Sequence, residues 1–178
     1  ASEHLEYAAN FKAGLSPAIL VACEEPLGAS ALVFGLLLNS DPAERASQLT
    51  GARALIDPPA FNELTRLEAA LAALDPAFKL PLAILALPAL RRMAPAQFLR
   101  FEKTLTDLVQ ADQQIDLFEF SLQKIVLRHL EPQFKPPRKS ATQYYALSRL
   151  LPECGVLLSA LAHPNIASKH WIIRQYDH

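Results

Sequence analysis

Proline that follows Asp or Ser is the feature that most constrains the fold of this chain. The pairs that begin helix-forming segments are Ser16-Pro17, Asp41-Pro42, Asp57-Pro58 and Asp75-Pro76, and Ala94-Pro95 is a related start. Proline is tolerated at the first helical position, where its missing N–H needs no partner, and a preceding Asp or Ser can accept hydrogen bonds from the first turn. The pattern predicts successive helices with very short joints, capped by Asp41, Asp57 and Asp75.

The rest of the residue pattern also favours helices. Strong helix formers dominate the chain, and no segment shows the sustained alternation of polar and apolar residues that is typical of a half-buried strand. With 51% hydrophobic residues, the chain can bury a sizeable core. We therefore expect an all-α fold. Pro81 and Pro88 interrupt one apolar segment, which predicts two short helices or a sharp kink there.

A proline-rich segment predicts the division of the chain. EPQFKPPRK at 131–139 combines three prolines with several charges, which predicts a linker that ends the preceding helix. We expect a helical domain at 1–134 and, at 135–178, a linker followed by C-terminal helices that pack on this domain. In the second part Ser140 is placed to begin one helix and Pro152 another.

Composition limits the classes of function. The net charge of the chain is -1, which argues against the clustered basic surface that nucleic-acid-binding proteins need. The two cysteines lack CxxC spacing and lie in apolar stretches, so we expect reduced thiols. The longest apolar runs, 31–38 and 80–90, fall short of the roughly 20 residues that cross a bilayer. The first residues, ASEHLEYAANF, lack the basic start and apolar run of a signal peptide, and we expect a soluble, cytoplasmic piece of a longer protein.

The sequence contains no recognisable motif for catalysis or for cofactor binding. HExxH, GxSxG, GxxxxGK[ST] and GxGxxG are all absent, and the five histidines include no His-x3-His pair. A catalytic Ser-His-Asp or Cys-His group built from distant residues is an alternative that the motifs leave open, because its members need not be sequence neighbours. The motifs therefore assign no catalytic, cofactor-binding or metal residue.

The acidic stretch ADQQIDLFEFSLQKIVLRHL, at 111–130, joins a turn to an amphipathic helix. Asp116 is a candidate N-cap, and Glu119 stands three residues later, where its carboxylate can reach back to the N–H of the cap. Asp112, Asp116 and Glu119 are also weak candidates for a hard-cation site, since such cations take oxygen ligands. An EF-hand loop needs a central Gly and a later Glu, so we interpret Asp116 and Glu119 as structural caps.

A small basic patch is the other candidate binding feature. Its members are Lys135, Arg138, Lys139 and Arg149, with Tyr144 and Tyr145 nearby. Such charges form either a docking patch or a solvated linker and helix face, and the second interpretation is favoured.

Three blocks of the chain resemble a known family. They are ALVFGLLLNSDPAERASQL at 31–49, KLPLAILALPALRRMAPAQFLRFEKTL at 79–105 and LVQADQQIDLFEFSLQKIVLRHL at 108–130. In this order they are similar to segments of the C-terminal, non-catalytic region of bacterial membrane-bound HtpX-like zinc metallopeptidases, the Zn-dependent proteases with chaperone function. The acidic block also resembles a turn of TerB-like helical domains, with Gln113 where that turn has Gly.

The resemblance implies a TerB-like orthogonal bundle of about nine or ten helices. It implies a non-catalytic role, regulatory or docking, in a parent protein of the bacterial inner membrane whose HExxH zinc site and membrane helices lie upstream. The expected partners are proteins, either the parent's own peptidase domain or its substrates, and not nucleic acid. Zinc would belong to the upstream domain. The alternative is a stand-alone helical adaptor or repeat-like scaffold unrelated to proteolysis.

Overall fold

The computed structural model describes residue 11 and residues 13–111, 117–136 and 147–162. These residues form eight α-helices and two 3-10 turns, and they contain no strand, so the prediction of an all-α fold is confirmed. The helices are α1 (Pro17–Ala22), α2 (Pro26–Leu36), α3 (Pro42–Ala52), α4 (Pro58–Ala72), α5 (Lys79–Leu90), α6 (Pro95–Ala111), α7 (Leu117–Phe134) and α8 (Leu151–Ala162). The 3-10 turns are Pro76–Phe78 and Leu147–Leu150. No helix in the described part of the chain is both long enough and apolar enough to cross a membrane.

Helix α2 is the centre of the bundle. Every residue from Gly28 to Leu36 is buried, and the helix packs against α1, α4, α5 and α6. A helix that is apolar on all sides must be enclosed by other elements, and the surrounding helices supply that enclosure. Ser30 is its one buried polar side chain, and its Oγ donates to the carbonyl oxygen of Pro26 at 2.6 Å. The hydroxyl is therefore satisfied within its own helix.

Two glycines allow the helices to approach α2 closely. A Cβ atom added at Gly28 would lie 2.6 Å from the carbonyl oxygen of Ala22 and 2.8 Å from its Cα. A Cβ atom added at Gly35 would overlap Leu71 and lie 2.8 Å from the Cδ1 atom of Leu64. The contact of α2 with α1 is thus backbone against backbone, whereas its contact with α4 involves side-chain ends.

Helices α5 and α7 lie side by side and run in the same direction. At their beginnings, the ammonium of Lys79 lies 5.5 Å from the centre of the Phe118 ring. At their ends, Gln133 donates from Nε2 to the carbonyl oxygen of Arg91 at 2.7 Å. Helix α6 connects them and packs along α7. The last turn of α7 therefore lies beside the last turn of α5.

Helix α3 is fastened to α4 by a buried cation. Arg45 is 6% exposed, and its Nε lies 2.6 Å from Oε1 of Glu68. The same guanidinium donates to the carbonyl oxygens of Asn39 and Glu68, both at 3.3 Å. Because the charge is paired and its other donors are used, its burial is tolerated.

The Asp-Pro starts do begin helices, but the carboxylates differ in what they do. Asp41 Oδ1 accepts from the N–H groups of Ala43 and Glu44, each at 3.0 Å. Asp75 Oδ1 accepts from Ala77 at 2.8 Å and begins a 3-10 turn. Glu44 does not form a capping box with Asp41, because the N–H of Asp41 donates to Asn39 Oδ1, at 2.9 Å.

Asp57 stands at the N-cap of α4, but its carboxylate accepts no hydrogen bond from the first turn. The prediction that Asp57 caps through its side chain is therefore wrong. An N-cap oxygen accepts from the second or third helical residue, and the second is Pro59, which has no N–H. The tandem prolines that mark the helix start thus remove one of the two donors that the cap needs.

The predicted break in the apolar segment around Pro81 and Pro88 does not divide it into two α-helices, since α5 contains both prolines. Pro81 lies in the first turn, where an N–H has no partner inside the helix. Pro88 lies in the last turn and deprives the carbonyl of Ile84 of its donor, but Ile84 is 50% exposed. Helix α7 likewise continues through Pro132 to Phe134, so the linker predicted from 131 starts later than expected.

The C-terminal helix α8 begins at Leu151 with Pro152 in its first turn. Leu151, Leu157 and Leu158 are 59%, 64% and 66% exposed. The proposed start at Ser140 lies outside the described residues. That residues 135–178 pack on the helical domain stays a prediction.

Candidate docking cleft

The acidic turn that the sequence singled out is described only at its edges. Helix α6 ends at Ala111 and α7 begins at Leu117, while Asp112 and Asp116 lie outside the described residues. Glu119 is buried in the first turn of α7. Among the residues that the structure describes, no group of three or more His, Cys, Asp or Glu is placed to hold a metal ion. The cap and ligand roles of the acidic residues stay predictions.

One turn after Glu119, polar side chains join α7 to α6. Gln123 is buried and donates from Nε2 to Thr106 Oγ1 at 3.0 Å. The Thr106 hydroxyl donates in turn to the carbonyl oxygen of Glu102 at 2.9 Å. In the described part of the chain, no buried side-chain nitrogen or oxygen lacks a hydrogen-bond partner. This polar link therefore stabilises the packing of two helices.

Lys135, the first member of the predicted basic patch, is already engaged. Its ammonium donates to the carboxylates of Glu102 and Glu131, the latter at 3.2 Å, and lies 5.7 Å from the centre of the Phe98 ring. The hydrogen bond to Glu102 raises the pKa of Lys135 above its ordinary value, although partial burial opposes this, and Glu131 adds to the rise. Lys135 thus fastens the end of α7 onto α6. The side chains of Arg138, Lys139, Tyr144, Tyr145 and Arg149 are outside the described part.

Among the described residues, the remaining reactive side chains, one histidine and two cysteines, form no hydrogen bond with one another. His129 Nδ1 is 2.8 Å from the carbonyl oxygen of Ile125 on its own helix, and the other histidines are outside the described residues. Cys23 and Cys154 are free thiols, each half-buried. Burial, with a smaller contribution from the charge of Glu24, raises the pKa of Cys23 to about 11. A thiol with so high a pKa is a poor nucleophile at neutral pH.

A cleft lies between α2, the start of α4, the joint before α6, and α6 itself. Its volume is about 100 Å³. Its apolar lining includes three buried side chains, those of Phe34, Met93 and Phe101. It also includes Leu27, which is 46% exposed. The rings of Phe34 and Phe101 are stacked with centres 5.3 Å apart, which gives this floor a fixed shape. We call it the Arg100 cleft, after the cation on its rim.

The rim of the Arg100 cleft carries two opposite charges. Asp57 and Arg100 both line the cleft and both are exposed. Within the described residues, neither side chain forms a hydrogen bond or an ion pair. The two opposite charges therefore line the same cleft without pairing with each other. Both charges are therefore available to groups that enter the cleft.

The polar groups inside the Arg100 cleft are satisfied. Thr104 Oγ1 donates to the carbonyl oxygen of Leu55 at 3.4 Å, and Ser30 donates within α2. Gln97 accepts from the N–H of Ala94 at 2.7 Å through its Oε1 atom and so caps α6. The cleft therefore offers an apolar floor and two free rim charges, and no activated nucleophile.

Sequence reasoning did not find this cleft. Asp57 was predicted to be a cap, and no role was predicted for Arg100. One local signal was present: Pro59 at the second helical position indicates that the preceding carboxylate is not fully used by the helix. No local signal places Arg100 on the same cleft as Asp57, because the two residues line one cleft only through the packing of α4 and α6 around α2.

Comparison of the chain with protein-family models, with curated proteins and with solved structures finds no match.

Proposed function

We propose that this chain is a non-catalytic docking domain that binds a segment of a protein partner. The observation that supports this is the Arg100 cleft, where an apolar floor lies next to two opposite charges that no described residue neutralises. Protein-binding sites of this type combine a desolvated apolar anchor with a polar rim.

The dimensions of the cleft favour docking over small-molecule chemistry. Sites for metabolite-sized ligands typically enclose roughly 300–1,000 Å³. The Arg100 cleft, at about 100 Å³, is several times smaller. A single side chain of a larger partner fits such a space, while the remainder of the partner would contact the surface around it.

For the parent protein we propose an HtpX-like membrane zinc metallopeptidase of the bacterial inner membrane, with this domain on the cytoplasmic side. The sequence resemblance supports this, and the all-helical fold is compatible with the TerB-like orthogonal bundle that it implies. The zinc ion would be held by the upstream HExxH site. The docked partner would be the parent's own peptidase domain or one of its substrates. The domain would therefore regulate the peptidase or present substrates to it.

A stand-alone helical adaptor is the second candidate, and the same cleft supports it. An adaptor would use the Arg100 cleft for a partner unrelated to proteolysis. The full-length reading frame separates the two, since only the peptidase parent carries an HExxH segment upstream.

The decisive experiment uses the full-length protein with Arg100→Gln. We measure the cleavage of an unfolded protein substrate and of a short fluorogenic peptide. If the domain presents substrate, the ratio of protein cleavage to short-peptide cleavage should fall roughly two- to fivefold, the range expected for one exposed ion pair.

Arg128→Gln is the matched control, because Arg128 is also an exposed helical arginine but does not line the cleft. It should leave the ratio unchanged. An equal ratio in wild type and in the Arg100 variant would contradict substrate docking. A full-length protein without an HExxH segment would contradict the peptidase parent and favour the adaptor.

A further inference from the structure

We propose that the Arg100 cleft recognises a short peptide segment in which one apolar side chain is flanked by a basic residue on one side and an acidic residue on the other. The inference rests on the proposed docking function and specifies its partner. The apolar side chain would occupy the floor, the basic residue would pair with Asp57, and the acidic residue would pair with Arg100.

The volume of the floor determines the anchor. A cavity of about 150 Å³ lined by apolar side chains holds one benzene molecule. The Arg100 cleft offers about 100 Å³, which suits one aliphatic side chain of the size of Val, Leu or Met. Phe34, Met93 and Phe101 would contact this side chain, and the exposed Leu27 would cover it from one edge.

Charge complementarity determines the flanking residues. Asp57 stands at the N-cap of α4, Arg100 lies in α6, and the two form no ion pair with each other. A purely apolar segment would leave both charges next to a partly desolvated surface, which is unfavourable. A segment with only one sign of charge would satisfy one rim residue and repel the other. Flanking residues of opposite sign satisfy both.

The test presents a random peptide library on phage to the whole chain. The strongest selected peptide is then labelled with fluorescein, and its affinity is measured by fluorescence anisotropy. Selected peptides should share an aliphatic residue between a Lys or Arg and an Asp or Glu. Replacing the aliphatic residue by Gly should weaken binding roughly tenfold or more.

Protein variants test the rim. Asp57→Asn and Arg100→Gln should each weaken binding of the selected peptide roughly two- to fivefold, and Arg128→Gln should not. Circular dichroism melting of each variant verifies that the fold is retained. Each rim variant should also lose its preference for the matching flanking charge in a repeated selection, which a general loss of stability would not produce.

Several results would overturn the inference. Selected peptides without flanking charges, or binding by both rim variants that equals the binding by wild type, would mean that the rim does not choose the partner. Binding that appears only after deletion of 163–178 would assign the cleft to the chain's own tail. Self-association that Leu27→Asp abolishes would assign it to a second copy. If selection fails while Arg100→Gln still lowers protein cleavage, the peptide specificity is wrong and the docking function stands.

Discussion

Replacement of Gly28 by Ala tests the closest contact in the bundle. In a helix with open surroundings this change gains up to about 1 kcal/mol, because Gly has the lower helix propensity. At Gly28, however, the new Cβ would lie 2.6 Å from a backbone oxygen of α1 and 2.8 Å from a backbone Cα. These atoms cannot rotate away as the end of a side chain can, so α1 must shift as a unit.

The expected loss follows from these two opposing effects. Overpacking of a core typically costs roughly 1–3 kcal/mol, and a backbone obstacle favours the upper part of that range. After the propensity gain is subtracted, Gly28→Ala should destabilise the protein by about 1–2 kcal/mol. For a chain of this size that corresponds to a decrease in melting temperature of roughly 2–8 °C.

Gly51 provides the matched control, because it also lies in a helix and an added Cβ there meets nothing within 4 Å. Gly51→Ala should stabilise the protein by about 0.5–1 kcal/mol. Gly35→Ala should fall between the two, since its obstacles are the ends of Leu64 and Leu71. Urea unfolding followed by circular dichroism measures all three variants. If Gly28→Ala shifts the midpoint in the same direction as Gly51→Ala, the proposed backbone contact between α1 and α2 is refuted.

Three further predictions concern charged residues. Asp41→Ala should cost about 0.5–2 kcal/mol in urea unfolding, and Asp57→Ala should cost less, because only Asp41 caps its helix through the side chain; equal losses would contradict this. The raised pKa of Lys135 means that its bond to Glu102 stabilises the fold below the ordinary lysine pKa of 10.5 and is lost as the pH rises through the higher folded value. The stability advantage of wild type over Lys135→Gln should therefore shrink above about pH 10.5 in pH-dependent melting, and a constant difference would exclude the pair as its source. Asp116→Ala should lower the melting temperature equally in chelator and in calcium or magnesium, whereas a loss seen only with the cation would support a cation site.

The helix starts could be predicted from sequence because their cause is local. Asp41 and Pro42 are neighbours, and the hydrogen bonds that make Asp41 a cap involve residues two and three positions later. The failure at Asp57 is local as well, and Pro59 explains it. Pro88 was misjudged for a different reason: whether a helix tolerates an interior proline depends on whether the freed carbonyl reaches water, which is a property of the packed surface.

The candidate cleft could not be predicted because its parts come from distant positions. In the sequence, nothing distinguishes Arg100 from the other charged residues on the polar face of α6. Asp57 precedes it in the sequence by two helices, α4 and α5, and only the arrangement of α4 and α6 around α2 brings the two residues to one cleft. The apolar run at 31–38 was judged only too short to cross a bilayer, and its sequence did not predict the buried central helix on which that cleft is built.

The enclosure of α2 determines how the domain opens. Its amide groups lie behind α1, α4, α5 and α6, so solvent reaches them only when those helices separate. Hydrogen exchange along α2 should therefore proceed through unfolding of the whole bundle and report its global free energy. Loss of any one of these four helices would expose an apolar surface of α2, so we expect it to destabilise the whole bundle. A cellular protease that pulls on this domain consequently meets one large barrier and not a series of small ones.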